Sequence, residues 1–246
     1  MARVLILGGT AEAVALAKAL KSARRFDGIL SLAGRTSTPV ANQICSRIGG
    51  FGGAAGLGKY LAAEQIEAVI DATHPFATRI SINAADACSS AGIPRIALLR
   101  HPWVSGPGDN WQHVKDEHHA ARALPKNCRA FLAIGRQHIG AFAGRSDAWF
   151  LIRVVDPPEK SLLPGPHSTI AMRGPFAAES EIALLNEHAI THLVARNSGG
   201  TGASAKIPAA RQLGLPVIMI DRPAPPPQPI VEDVAAALDW LTNLIG

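Results

Sequence analysis

The stretch VLILGGTAEA, Val4 to Ala13, is an apolar run of strand length that ends on two glycines and opens into alanine-rich sequence of helical type. Gly8 and Gly9 let the backbone turn sharply and come close to a ligand. The helix that follows offers unpaired N–H groups and the positive end of its dipole. Dinucleotide phosphates bind at this point in Rossmann-like sheets, which marks Gly8, Gly9 and Thr10 as cofactor-binding candidates. The spacing is not G-x-G-x-x-G, and an ordinary strand–helix turn has the same local form.

Working outward, the same alternation repeats. Arg3–Leu7 reads as a strand and Thr10–Ser22 as a helix. Strands follow at Gly28–Ala33, Ala68–Asp71 and Arg95–Leu99, with helices at Leu57–Glu64 and Phe76–Ala91. His101–Trp111, with Pro102, Gly106, Pro107 and Gly108, breaks the pattern and reads as a linker. Beyond it, strands are expected at Arg129–Ile134, Trp149–Val155, His192–Ala195 and Pro216–Ile220. Helices are expected near Phe176–Glu187, Ala203–Leu213 and Val231–Leu244. Continuous apolar strands between helices indicate a parallel sheet covered on both faces. The predicted fold is therefore α/β, with two Rossmann-like parallel-sheet domains and a cleft between them. Residues 1–100 form the first and 101–246 the second, with an approximate boundary that elements are free to cross. Two proline-rich stretches, Asp156–Pro166 and Arg222–Pro229, read as stiff surface loops.

The chain has 246 residues, 48% hydrophobic, with 24 Lys plus Arg against 19 Asp plus Glu, a formal charge of +5. This balance suits an anionic ligand. There is no long basic run and no interleaved aromatic platform, so no nucleic-acid partner is expected. The apolar run at the N-terminus is too short for a signal peptide, and no window approaches the ~20 apolar residues that span a bilayer. Cys45, Cys88 and Cys128 are isolated and odd in number, as in a reduced, cytoplasmic protein.

The loops after the other strands carry the remaining chemistry. Arg35, Thr36 and Ser37 follow the second strand, where a dinucleotide fold reads the adenosine ribose. An arginine with hydroxyl neighbours there suits a 2′-phosphate, hence NADPH; the same residues also suit a solvated loop. Thr73 and His74 follow the third strand, at the edge where ligands bind. His74 is the candidate proton donor and Thr73 a cofactor contact; a helix cap with a structural histidine explains them equally well. In the second half, Arg136 and Gln137, Arg153, Arg173, and the loop Asn197, Ser198, Gly199 and Gly200 with Lys206 read as an anion cradle for substrate. Gly200, Gly202 and Ala205 satisfy G-x-G-x-x-A after a strand, a weak match without a clear acidic ribose reader downstream. Asp116-Glu117-His118-His119 has no metal-ligand spacing and reads as acidic residues opening a helix. No metal or flavin is expected. The residues alone leave open a reductase of some smaller anionic substrate, or a nucleotide-binding module without turnover.

Five segments together resemble one family: LILGGTAEA near the start, DATHPFA at Asp71–Ala77, GRQ at Gly135–Gln137, RGPF at Arg173–Phe176, and RNSGGTGASAKIPAAR at Arg196–Arg211. They resemble the precorrin-6A reductases of cobalamin biosynthesis, with their cobalt-precorrin relatives. The family usually has Lys where this chain has Arg196. The resemblance spans nearly the whole chain. It implies a two-domain, NADPH-dependent oxidoreductase that converts precorrin-6A, a macrocycle with acetate and propionate arms, to precorrin-6B at the C18–C19 double bond. It also implies hand-over of intermediates to other enzymes of that pathway.

Overall fold

The computed structural model describes residues 1–34 and 44–245. From the N-terminus the chain forms β1 (Ala2–Leu7), α1 (Ala11–Ala23), β2 (Phe26–Leu32), β3 (Cys45–Ile48), α2 (Gly53–Ala63), β4 (Ala68–Asp71), α3 (Thr78–Ala91) and β5 (Arg95–Leu98). It continues through β6 (Trp111–Val114), α4 (Glu117–Ala123), β7 (Arg129–Ala133), a 3₁₀ segment at Arg136–Phe142, β8 (Trp149–Val154), β9 (His167–Ala171), α5 (Ala178–Glu187), β10 (His192–Arg196), α6 (Lys206–Gln212) and β11 (Val217–Ile220). It ends in β12 (Ile230–Val231) and α7 (Val234–Ile245).

These elements make two units. One is Met1–His101 together with Pro223–Gly246; the other is Pro102–Arg222. The sequence pattern assigns 101–246 to one half, whereas β12 and α7 return to the first. The reason lies in the core: Ala237 and Leu241 of α7 are fully buried against α1 and the face of the sheet that carries Val4, Ile6 and Ile70. The opposite face, Leu5, Leu7 and Val69, packs on α2 and α3 through Leu57, Leu61, Ala84 and Ala87. Burial on both faces is why these central strands are unbroken apolar runs.

Among the described residues both sheets have six strands and every pairing is parallel. The first runs β12-β5-β4-β1-β2-β3, the 3-2-1-4-5-6 order of doubly wound folds. The second runs β6-β11-β10-β7-β8-β9. There β7 takes the place of β1, β10 that of β4, and the sixth position goes to β6, the strand that enters the unit. Strand order therefore reverses between β1 and β4 in one sheet and between β7 and β10 in the other. Open α/β sheets bind ligands at such switch points, outside the carboxyl ends of the strands.

Local signals set the helix limits. Thr10 is extended (φ −127°) and caps α1 by accepting from the Ala13 amide at 3.2 Å. Asp116 caps α4 the same way through His119 at 2.8 Å. That accounts for the acidic residues preceding the histidine pair. Gly92, at φ 66°, ends α3.

Candidate functional site

At the first switch point, the two glycines after β1 do different work. A Cβ on Gly8 would stand 2.6 Å from Leu30 Cδ1, so this glycine serves packing against β2. Gly9 has φ 123° and nothing within 4 Å of an added Cβ, so it supplies a backbone conformation that faces open space. Thr10 does not offer a free hydroxyl. Its Oγ1 accepts from Ala13 and donates to the Ala72 carbonyl at 2.7 Å, which ties the β1 exit to the β4 exit. Glu12, in the first turn of α1, is paired with Arg100 just past β5 at 2.6 Å.

The β4 exit carries a buried acid. Asp71, 3% exposed, accepts at Oδ1 from the amide of Thr73 (3.2 Å) and from its hydroxyl (2.7 Å). Its Oδ2 is buried and has no hydrogen-bond partner among the described residues. Thr73 is therefore turned inward, with Ser81 Oγ 3.3 Å from its Oγ1. His74 accepts the Phe76 amide at Nδ1 (3.3 Å). A cavity of about 190 Å³ opens here, lined by Asp71, Thr73, His74, Ser81, Leu99 and the run Pro223–Pro227. That run is held by Arg95, whose Nη2 donates to the carbonyls of Pro227 (2.5 Å) and Gln228 (3.2 Å). The proline segment is a surface loop, as its sequence suggests, whose inner side also forms a wall of the cavity. Arg35, Thr36 and Ser37 lie outside the described residues.

At the second switch point, Gly135 (φ 87°) turns the chain out of β7 and leaves Arg136 and Gln137 exposed at the start of the 3₁₀ segment. Arg173 is also exposed. The loop after β10 is pinned from two sides. Asn197, 6% exposed, takes the Trp103 amide at Oδ1 (2.8 Å) and gives its Nδ2 to the Trp103 carbonyl (2.9 Å). The Trp103 indole donates to the Gly200 carbonyl at 2.9 Å. Arg222 donates to the carbonyls of Asn197 (2.8 Å) and Ser198 (3.0 Å). Gly199 and Gly200 have φ 62° and 68°, the left-handed region that favours glycine.

Beneath this loop the structure buries the cations that the sequence suggests for substrate. Lys206 is 3% exposed, donates to the Ala203 carbonyl, and lies 4.8 Å from the centroid of the Trp103 ring. Burial, with Arg153 nearby, drops its pKa to about 7, and Glu181 opposes that shift. Arg153, 9% exposed, pairs with Glu181, which is 1% exposed, and stacks over Phe176 at 3.8 Å. Asn197, Lys206 and Arg153 thus commit their polar groups inside the unit. Arg136, Gln137 and Arg173 remain at the surface.

Trp103, Glu181, Arg222, Asp71, Arg95 and Arg100 are site residues that sequence reasoning does not single out. Trp103 sits in what reads as a Pro/Gly linker. Glu181 had a readable signal: it lies four residues before Leu185, on the buried stripe of α5. Among the described residues no three His, Cys, Asp or Glu side chains gather as for a metal ion. His138 pairs with Glu117 at 3.0 Å and His113 with Asp221 at 2.6 Å, each separately. No helix among the described residues is long and apolar enough to cross a membrane.

Comparison with known proteins gives one answer. The model of the family "Precorrin-6x reductase CbiJ/CobK" matches residues 3–242. The precorrin-6A reductase of Rhodobacter capsulatus is 49% identical over 245 residues, 99% of this chain and 97% of that protein. The cobalt-precorrin-6A reductase of Priestia megaterium is 30% identical over 239 residues, covering 89% of this chain and 90% of that one. A solved structure of a CobK precorrin-6A reductase superposes with a TM-score of 0.95 at 48% identity, over 99% of this chain and 97% of the other.

Proposed function

Because the chain belongs to the precorrin-6x reductase CbiJ/CobK family, we propose that it reduces precorrin-6A to precorrin-6B at the C18–C19 double bond, using NADPH, in the cytoplasmic synthesis of cobalamin. NADPH, when bound, supplies the hydride. The observation that carries the cofactor assignment is the switch point between β1 and β4, with Gly9 facing open space and the first turn of α1 beside it.

The residues there fit a dinucleotide. Gly9 and the amides opening α1 hold the pyrophosphate, Gly8 lets the turn pack closely on β2, and Thr10 and Thr73 fix the two strand exits from within. Arg35, Thr36 and Ser37, after β2, take the 2′-phosphate. The G-x-G-x-x-A match at Gly200 argues less for a cofactor. It follows β10, which stands in the fourth position of its sheet and not the first. The second unit therefore takes the macrocycle. Arg136, Gln137 and Arg173 receive its carboxylates, since guanidinium pairs with carboxylate through two hydrogen bonds. Ser198, Gly199 and Gly200 present backbone to it. Asn197, Lys206 and Arg153 support that loop from beneath instead of touching substrate. His74, at the β4 exit, is the donor candidate for the carbon that does not receive the hydride. The product passes to other enzymes of the pathway.

The test is to mix the protein with NADPH and precorrin-6A and follow NADPH absorbance. Loss of NADPH with formation of a dihydro product supports the reading. Binding of both without oxidation would reduce the protein to a ligand-binding module.

A further inference from the structure

We propose that His138, held at Nδ1 by Glu117, receives a carboxylate of the macrocycle on its Nε2 side, as a third contact beside Arg136 and Gln137. The inference rests on the reading given above that the second unit takes precorrin-6A. It goes further by adding a residue which that reading leaves out, and the partner that orients it.

The first argument is position. β7 ends at Ala133, Gly135 turns the chain at φ 87°, and the 3₁₀ segment Arg136–Phe142 begins. Ile139 and Phe142, each 1% exposed, anchor that segment in the core. His138 precedes Ile139, and its amide donates to the Gly135 carbonyl at 3.1 Å. The ring therefore stands at the switch point between β7 and β10, two residues from Arg136. Its side chain is 32% exposed, that of Glu117 19%. With Nδ1 turned to the carboxylate, the exposed part of the ring lies on its other edge, which carries Nε2.

The second argument is charge. Glu117, in the first turn of α4, lies 3.0 Å from His138 Nδ1 and 3.7 Å from Arg196 Nε at the end of β10. The His138 contact holds the Glu117 carboxyl below the usual carboxylate range; Arg196 adds to this and burial opposes it. An ionised carboxylate only accepts, so the proton of that contact sits on Nδ1. A neutral ring then presents Nε2 as an acceptor, which a carboxylate avoids. An imidazolium presents a donor there and can stand between two carboxylates, that of Glu117 and one from outside. Glu117 faces the ring from α4, Arg196 lies behind that carboxylate, and Arg136 precedes the ring on its own segment. The acetate and propionate arms of the macrocycle supply the second anion.

Steady-state kinetics with NADPH and precorrin-6A test this. In His138→Gln, KM for precorrin-6A should rise about tenfold, the effect of one charge-assisted hydrogen bond, with kcat within about twofold of the parent. His138→Arg, which returns a fixed cation, should bring KM back to within about threefold of the parent. From about pH 5 to 8, where an imidazolium ordinarily gives up its proton, the parent KM should rise relative to that of His138→Arg. Glu117→Gln should raise KM about threefold in the parent and leave it unchanged in His138→Gln, since the two residues act through one ring. Should His138→Gln not fold, the pH comparison of the parent with His138→Arg decides alone. A KM unchanged in His138→Gln, or raised as much in His138→Arg, overturns the inference while the reductase reading stands; so does a fall in kcat at parent KM. Failure of the parent to oxidise NADPH with precorrin-6A overturns that reading and this inference with it.

Discussion

Asn197 and Trp103 bind each other twice. The asparagine amide takes the tryptophan N–H at 2.8 Å and gives its own to the tryptophan carbonyl at 2.9 Å. A side chain here does what a neighbouring strand would do, and it fixes the start of the glycine loop to a segment 94 residues away. Replacing Asn197 by Ala strands both Trp103 backbone groups. We expect a loss of roughly 2–4 kcal/mol in chemical denaturation, weaker binding of precorrin-6A, and unchanged NADPH affinity. A variant with parent stability and parent substrate affinity would show that the clamp is dispensable.

Lys206 makes a prediction about pH. Its pKa in the folded protein is about 7, against an ordinary 10.5. Between those values the unfolded chain holds a proton that the folded chain has released, so stability rises with pH. Below pH 7 both states are charged and the burial cost is at its full value. The groups facing the ammonium, Arg153 and Glu181, come from β8 and α5. Lys206→Met should remove a rise of roughly 2–4 kcal/mol between pH 7 and 10.5. Denaturation series of the two proteins test this by their difference, which cancels the titration of the cysteines. Parallel curves across that window would refute it.

Arg100 neutralises Glu12 in the first turn of α1, where phosphate is expected to arrive. Arg100→Ala frees a carboxylate beside that phosphate, and NADPH should bind about fivefold more weakly at low salt. Adding Glu12→Gln to the same protein should restore the affinity. If the double variant binds as poorly as the single one, the arginine acts by another route.

Cofactor choice is assigned to Arg35. Arg35→Ala should weaken NADPH binding by ~1.5–3 kcal/mol and leave NADH binding nearly unchanged. Equal affinity of the parent for NADPH and NADH would remove the basis for the assignment.

His74→Ala should slow turnover about 10²-fold, with NADPH affinity retained, if the ring donates the proton. Parent turnover in that variant would leave solvent as the source.

The parts of this fold that the sequence conceals have a common physical cause. Cys45–Ile48, Trp111–Val114, His167–Ala171 and Ile230–Val231 are the strands without a readable apolar run, and they are the four edges of the two sheets. An edge strand needs one covered face at most, so its sequence is free to be polar, as in Cys-Ser-Arg-Ile. The central strands, buried on both faces, have no such freedom and are plain in the sequence. The site divides in a similar way. The switch-point loops are legible because glycine and proline mark sharp turns. Which cations face outward is not, because Lys206 and Arg136 look alike until Glu181 and Trp103 are brought beneath the loop.

The division of the chain also sets an order of manufacture. Pro102–Arg222 is one continuous stretch, while the first unit needs Pro223–Gly246 to complete its sheet and cover one face. On the ribosome, the later-encoded unit is whole while the earlier one still waits for its last helix. Until that helix emerges, Leu16, Leu20 and Ile6 lack the cover of Ala237 and Leu241. A premature stop near residue 222 would therefore damage the beginning of the protein more than its end.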